Sequence, residues 1–363
     1  MNLENGQING RQLIFLIMGY ILGSSVILPP GTEAGNSSWL AIFCGAGEGL
    51  IIAFIFTVLA RRFPNQTAVQ FNSIVYGPYL GSIVSVAFLW YIFNLGSIVT
   101  RNFTDFIGTV FMPETPTLIV GIAMIFAAAF AVYQGVEVIA LSSVILVPLT
   151  VVFFLISYML QINTFDLQNL LPFLDVPMEK FLGAAHGAAT FPFAEIVVFL
   201  MIFPYLNPSK LSPMVEIAGI SFSALVLSLS AVRTIAVLGN TAAIFTYPSF
   251  EALKLLNLPF FNARMEIIVG INFMTMGFLK ITILYYGTVL GIAQLFGLRR
   301  YQILIIPVGI LMLIFSMLNF NNIVENMEYA RITYPIYALL FQAWFPLITL
   351  GIAMIRRQGG AKE

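Results

Sequence analysis

The sequence predicts an all-α membrane protein that crosses the bilayer about ten times. Three observations carry this. Hydrophobic residues make up 60% of the 363 residues and charged residues 9%, whereas a soluble domain carries roughly 25% charged residues. With a mean hydropathy of +0.96, the chain is suited to face lipid rather than water. The apolar runs are long and continuous rather than alternating. That selects helices over a barrel, the two structures that satisfy backbone groups in lipid. The runs also approach the ~20 residues that a spanning helix needs. Residues 1–363 therefore read as a single transmembrane domain.

Composition excludes several functions. The formal net charge is zero, so the global basic field that attracts nucleic acid is absent. A lone cysteine, Cys44, and a lone histidine, His186, leave no disulfide framework and no Cys- or His-rich metal centre. No nucleophile–base set stands out, so an enzyme is not expected, and neither is a cofactor. The amino terminus is polar rather than basic, and no small-residue cleavage site follows the first apolar run. That run reads as a retained helix, not a signal peptide.

In chain order the spans fall at about 11–29, 39–60, 80–102, 116–134, 138–160, 180–206, 213–238, 265–296, 302–319 and 332–355. Their orientation follows from loop Lys and Arg. With the amino terminus in the cytoplasm, Arg11, Arg61, Arg62, Lys210, Arg299, Arg300, Arg356, Arg357 and Lys362 lie inside. Arg101, Lys180, Lys254, Arg264 and Arg331 lie outside. All three arginine pairs share the inner side, so both termini are expected to be cytoplasmic. Two outer loops are long. Residues 161–179 are acidic and contain Pro172 and Pro177. In residues 239–264, Ser249 can cap a short helix with Phe250, Leu253 and Leu256 on one face and Pro259 as its stop. That helix reads either as a lid over the outer mouth or as a segment resting among the headgroups.

Two spans are interrupted. In the first, Gly23, Ser24 and Ser25 weaken the helix and Pro29 cannot donate to it. In the sixth, Pro192 removes a hydrogen bond, Thr190 offers a local substitute and Glu195 follows. Each alone could be a plain kink, as Pro148, Pro307 and Pro346 are read to be. Together they open the two halves of a five-plus-five chain, with a first repeat at about 11–160 and a second at about 180–355. An odd number of helices per half inverts the second half. Matched interruptions in an inverted pair point to a substrate site at the midplane, where unwound backbone and half-helix dipoles can hold a ligand.

Four charges lie inside apolar runs: Glu48, Glu195, Arg233 and Lys280. Each is costly there and normally pairs or lines a cavity. Lys280 reads as a fixed cation in place of a coupling ion, as a proton-linked switch, or as half of a structural pair with a glutamate. Gly45 and Gly49, like Gly287 and Gly291, are spaced for close helix packing. Trp90, Tyr91 and Asn94 could face a ligand or serve packing. His186 reads as a hydrogen-bonded spacer.

The segment from Ile21 through Gly23, Ser24 and Ser25 to Pro29 resembles the first-helix signature of the spore germination permeases. These are the B subunits of nutrient germinant receptors, in the amino acid–polyamine–organocation superfamily. Thr190–Glu195, followed by Phe203, Pro204 and Tyr205, is similar to that family's sixth helix. Length and helix number extend the resemblance over nearly the whole chain. In one departure, the Gly-x-Gly usual in amino acid permeases reads Gly23, Ser24, Ser25. The resemblance implies a LeuT-type fold, a small nutrient ligand such as an amino acid, receptor A and C subunits as partners, and the inner spore membrane as location. It also implies ligand contacts from Gly23, Ser24, Ser25, Thr190, Phe191 and Phe193. Tyr91, Asn94 and Phe278 join these by depth, and Glu48, Glu195 and Lys280 as coupling charges. A proton-coupled transporter of amino acids or amines and a ligand-gated ion or water conduit stand as alternatives.

Overall fold

A computed structural model describes residues 3, 4, 6–25, 27–206, 213–255 and 265–360. Lys210, Leu256, Pro259, Arg264 and Lys362 lie outside these residues, as does Val26 of the first-helix signature. The described chain is built of helices, apart from one isolated bridge between Ile8 and Leu206.

The first half comprises α1 (Gly10–Ser25), α2 (Ser38–Arg62), a short connecting helix α3 (Ala68–Tyr76), α4 (Pro78–Val110), α5 (Thr117–Gln134) and α6 (Val136–Gln161). The second half opens with α7 (Met178–Ala188), which runs through a π-helical turn at Ala189–Phe193 into a 3-10 helix at Ala194–Met201. It continues with α8 (Pro213–Leu238), α9 (Pro248–Lys254), α10 (Met265–Leu295) and α11 (Ile305–Leu318). The last span is segmented into α12 (Ile323–Glu328), α13 (Tyr334–Leu339) and α14 (Phe345–Ile355), joined by two π-helical turns.

Among the described residues, nine helical segments are long and apolar enough to cross a membrane. The first predicted span is shorter than expected: α1 stops at Ser25 after 16 residues. Ser25 Oγ donates to Ile21 O at 2.7 Å, and the Ile27 and Leu28 amides both close on Ser24 O. Pro29 and Pro30 then have no amide to continue the helix, and the chain turns into a 3-10 helix at Thr32–Ser37. Residues 27–29, expected within this span, thus form turns and not helix.

Other differences have local causes. α4 continues to Val110, so Arg101 lies inside a helix and not in an outer loop. Its Nε pairs with Asp105 one turn on at 2.8 Å, and Nη1 reaches Ser316 O and Met317 O. Tyr247, not Ser249, precedes α9, with Pro248 in its first turn. Phe250 and Leu253 of α9 are buried, and Phe250 packs edge-on against Phe106 and Phe111. α9 is seated in the bundle against α8 and α10, so its apolar face covers protein and not headgroups.

The core lies where α1 is enclosed by α6, α8 and α10, and where α10 crosses α4. Both predicted glycine pairs serve packing. A Cβ on Gly45 would stand 2.5 Å from Ala185 O, and one on Gly49 2.5 Å from Phe193 Cβ. Only glycine lets α2 lie this close to the interrupted helix. The outer surface carries a belt of exposed apolar side chains, among them Ile51, Phe126, Ile306 and Ile336.

Candidate functional site

The interruption of the sixth span follows from its sequence. Pro192 has no amide to donate, and Phe191 leaves helical geometry at φ −131°, ψ 107°. Thr190 Oγ1 turns back onto Gly187 O and His186 O at 3.0 and 3.2 Å. The Thr190 carbonyl, freed from the helix, accepts from Gln342 Nε2 at 2.9 Å. The helix restarts at Ala194 with Glu195 in its first turn, where the positive helix end favours a carboxylate.

Lys280 of α10 fills the space between the two breaks. A Cβ on Gly23 would lie 2.7 Å from Lys280 Cβ, so the lysine stem runs directly over α1 at a position without a side chain. Its Nζ donates to Ser24 Oγ at 2.8 Å and to Glu195 Oε2. Both ionic side chains are fully buried. The ammonium also lies 5.0 Å from the Tyr20 ring centre and 5.1 Å from that of Phe191, within cation–π reach. The cation thus sits at the C-terminal turn of α1 and the carboxylate at an N-terminal turn. Both dipoles support the pair.

The second Glu195 oxygen accepts from Tyr334 OH at 2.5 Å. Tyr334 OH lies 3.1 Å from Tyr91 OH, and Gln342 Nε2 donates to Tyr91 OH at 2.8 Å. Tyr91 stacks on Phe341, with ring centres 4.9 Å apart. Five spans therefore contribute to one buried polar network: the first, third, sixth, eighth and tenth. Among the described residues, Gln342 Oε1 and the nearby Tyr20 OH have no partner, so the network holds its members together while leaving two polar atoms open.

Of the sequence-predicted residues, Gly23, Ser24, Tyr91, Thr190, Phe191, Glu195 and Lys280 converge here. Ser25 is buried beside them but spends its hydroxyl on Ile21 O. Phe193 packs on Gly49 of α2. Asn94 accepts from Asn319 at 3.2 Å, towards the end of α11. Phe278 is half-buried against the core, and its carbonyl accepts from Thr282. Glu48, expected as a coupling charge, instead bonds His186 Nδ1 at 2.7 Å on a partly exposed face of α2 and α7. Tyr20, Tyr334 and Gln342 were not anticipated. Gln342 was the one findable signal, as a lone amide in the apolar run of the last span. No cluster of His, Cys, Asp and Glu suited to a metal occurs among the described residues.

The sequence profile of the spore germination protein family matches residues 7–324. Among curated proteins, the chain is 27% identical to spore germination protein KB of Bacillus subtilis, over 99% of this chain and 98% of that one. It is 22% identical to spore germination protein YndE of the same organism, over 80% and 81%. Solved structures that share the fold include two transporters. One is MHP1, a nucleobase-cation-symport-1 family transporter, closed with bromovinylhydantoin bound. Its TM-score is 0.75 at 11% identity, covering 98% of this chain and 82% of that one. The other is MhsT in complex with L-phenylalanine, with a TM-score of 0.59 at 16% identity over 94% and 97%. The fold is the LeuT-type five-plus-five arrangement with interrupted first and sixth spans.

Proposed function

The chain belongs to the spore germination protein family, and from that premise we propose that it is the B subunit of a nutrient germinant receptor. It binds a small nutrient, an amino acid or a molecule of similar size, at the midplane between the interrupted helices. Binding is passed to receptor A and C subunits in the inner spore membrane, with both termini in the cytoplasm. The observation that carries this reading is the buried Lys280–Glu195 pair bridging Ser24 of the first break to the turn after the second. Freed backbone, aromatic faces and one rearrangeable ion pair meet there, a setting in which a small zwitterion can exchange partners with the protein.

Lys280 acts in this reading as a resident cation, in the role that a coupling ion would otherwise fill. The ion pair also favours a second reading, proton-coupled transport, because a buried carboxylate and amine can exchange a proton when a ligand separates them. Reconstituted protein distinguishes the two. Labelled amino acids, sugars and nucleosides are screened in proteoliposomes, and saturable binding without net uptake is expected. Accumulation of the same ligand under a pH gradient overturns the receptor reading in favour of transport. Thr190→Val is expected to weaken binding about tenfold, the worth of one hydrogen bond, with normal expression. An unchanged affinity removes Thr190 from the site.

A further inference from the structure

Arg233 of α8 takes no part in the network around Lys280. It is 2% exposed and lies in an apolar stretch of its span. Among the described residues no carboxylate lies within ion-pair distance of it. Its Nη1 and Nη2 reach Ser157 Oγ and Ser230 Oγ only at 3.4 Å, and Nε has no acceptor among the described residues. The guanidinium lies over Phe154, 5.4 Å from the ring centre. A buried cation without a counter-charge is among the most costly arrangements in a membrane protein, so it signals a partner that comes from elsewhere.

The surroundings supply the space for one. Arg233 lines a small cavity of about 40 Å³ between α1, α6, α8 and α10, with Leu253 of α9 in its wall. Polar groups in the lining include Thr150, Ser157, Ser230 and Asn272. Thr150 Oγ1 is buried without a hydrogen-bond partner among the described residues, and the Asn272 side chain lines the same space. The remaining wall is aliphatic and aromatic. Unsatisfied donors around a fixed guanidinium, closed by apolar side chains, match an anion with a short hydrocarbon body.

We propose that this cavity is a second binding site, distinct from the Lys280 network, and that it takes a small aliphatic carboxylate on Arg233. A guanidinium meets a carboxylate through two parallel N–H bonds, a fit that a spherical halide cannot reproduce. The site shares walls with the first: Leu22 directly precedes Gly23, and Met276 lies one turn before Lys280 on α10. Occupancy would therefore bear on both helices that hold the ion pair. The inference does not depend on the receptor reading above, because it concerns a different cavity.

The test uses purified full-length protein in detergent and carboxylate-free buffer. Propionate is expected to raise the thermal midpoint by about 2 °C at saturation, while isosteric neutral propionamide leaves it unchanged. Labelled propionate is expected to bind at one site per chain, with binding weakened about tenfold or more by Arg233→Lys, which keeps the charge but loses the fork. Should that variant not fold, Asn272→Leu removes a polar wall without touching the charge, and it is expected to abolish the shift. Equal shifts from propionamide, or complete displacement of propionate by equimolar chloride, overturn the proposal. So does undiminished propionate binding in Asn272→Leu and Arg233→Lys together.

Discussion

Lys280 and Glu195 each sit in a place that neither could occupy alone. Removing one partner of a buried pair leaves the other charged and unsolvated, at a cost of about 3–5 kcal/mol, whereas replacing both is often close to neutral. Lys280→Met is therefore expected to lower the stability of the purified protein by that amount, and Lys280→Met with Glu195→Met to recover most of it. A double variant as unstable as the single one would show that the pair does not act as a unit. A second expectation concerns ions. Because Nζ already bonds Ser24 Oγ and Glu195 between the breaks, nutrient binding should be the same in sodium and in potassium buffer. A tenfold sodium dependence, about 1.4 kcal/mol, would rule out Lys280 as the resident cation.

At the scale of elements, two contacts set the geometry of the interrupted helix. α2 approaches it through Gly45 and Gly49, and the last span holds it through Gln342, which lies in the π-helical turn at Leu340–Trp344. Gly49→Ala is expected to cost about 1–3 kcal/mol by overpacking against Phe193. Gly47→Ala on the same helix meets nothing within 4 Å and should be neutral or mildly stabilising. Equal thermal midpoints for the two variants would contradict the close approach. Gln342→Leu strands the Thr190 carbonyl and is expected to cost about 1–3 kcal/mol. Both breaks were legible in the sequence because glycine, serine and proline act locally on the backbone. The pairing of Lys280 was not. Position along a helix gives depth but not azimuth, so Glu195 beside the break was favoured but not separated from Glu48 until helix rotation turned the latter towards His186. The contribution of the last span was hidden for a related reason. A π-helical turn shifts the side-chain period, and Tyr334 is one of 14 tyrosines with nothing local to single it out.

At the scale of the whole molecule, the contacts at the chain ends fix a relation that the loop charges only suggest. Ile8 N donates to Tyr205 O at 2.9 Å, and Tyr301 OH donates to Glu4 Oε2 at 3.0 Å. Arg62 Nε, at the end of α2, donates to Gln358 O at 2.7 Å beyond the end of α14. The amino-terminal segment thus sits beside Tyr301, which follows the arginine pair Arg299 and Arg300, and the carboxy-terminal segment beside the pair Arg61 and Arg62. At the opposite end, Asn36 reaches Leu171 O and Arg331 approaches Glu33 at 3.9 Å. The three arginine pairs gather with the termini, and the positive-inside rule assigns such an end to the cytoplasm. Fusions of green fluorescent protein to either terminus are therefore both expected to fluoresce, and alkaline phosphatase fusions at either terminus to be inactive. An alkaline phosphatase insertion after Asp175 should be active. Activity at one terminus and fluorescence at the other would require an odd number of crossings and would overturn the ten-span reading, including the crossing assigned to short α1. Activity at both termini would keep the fold and invert its orientation.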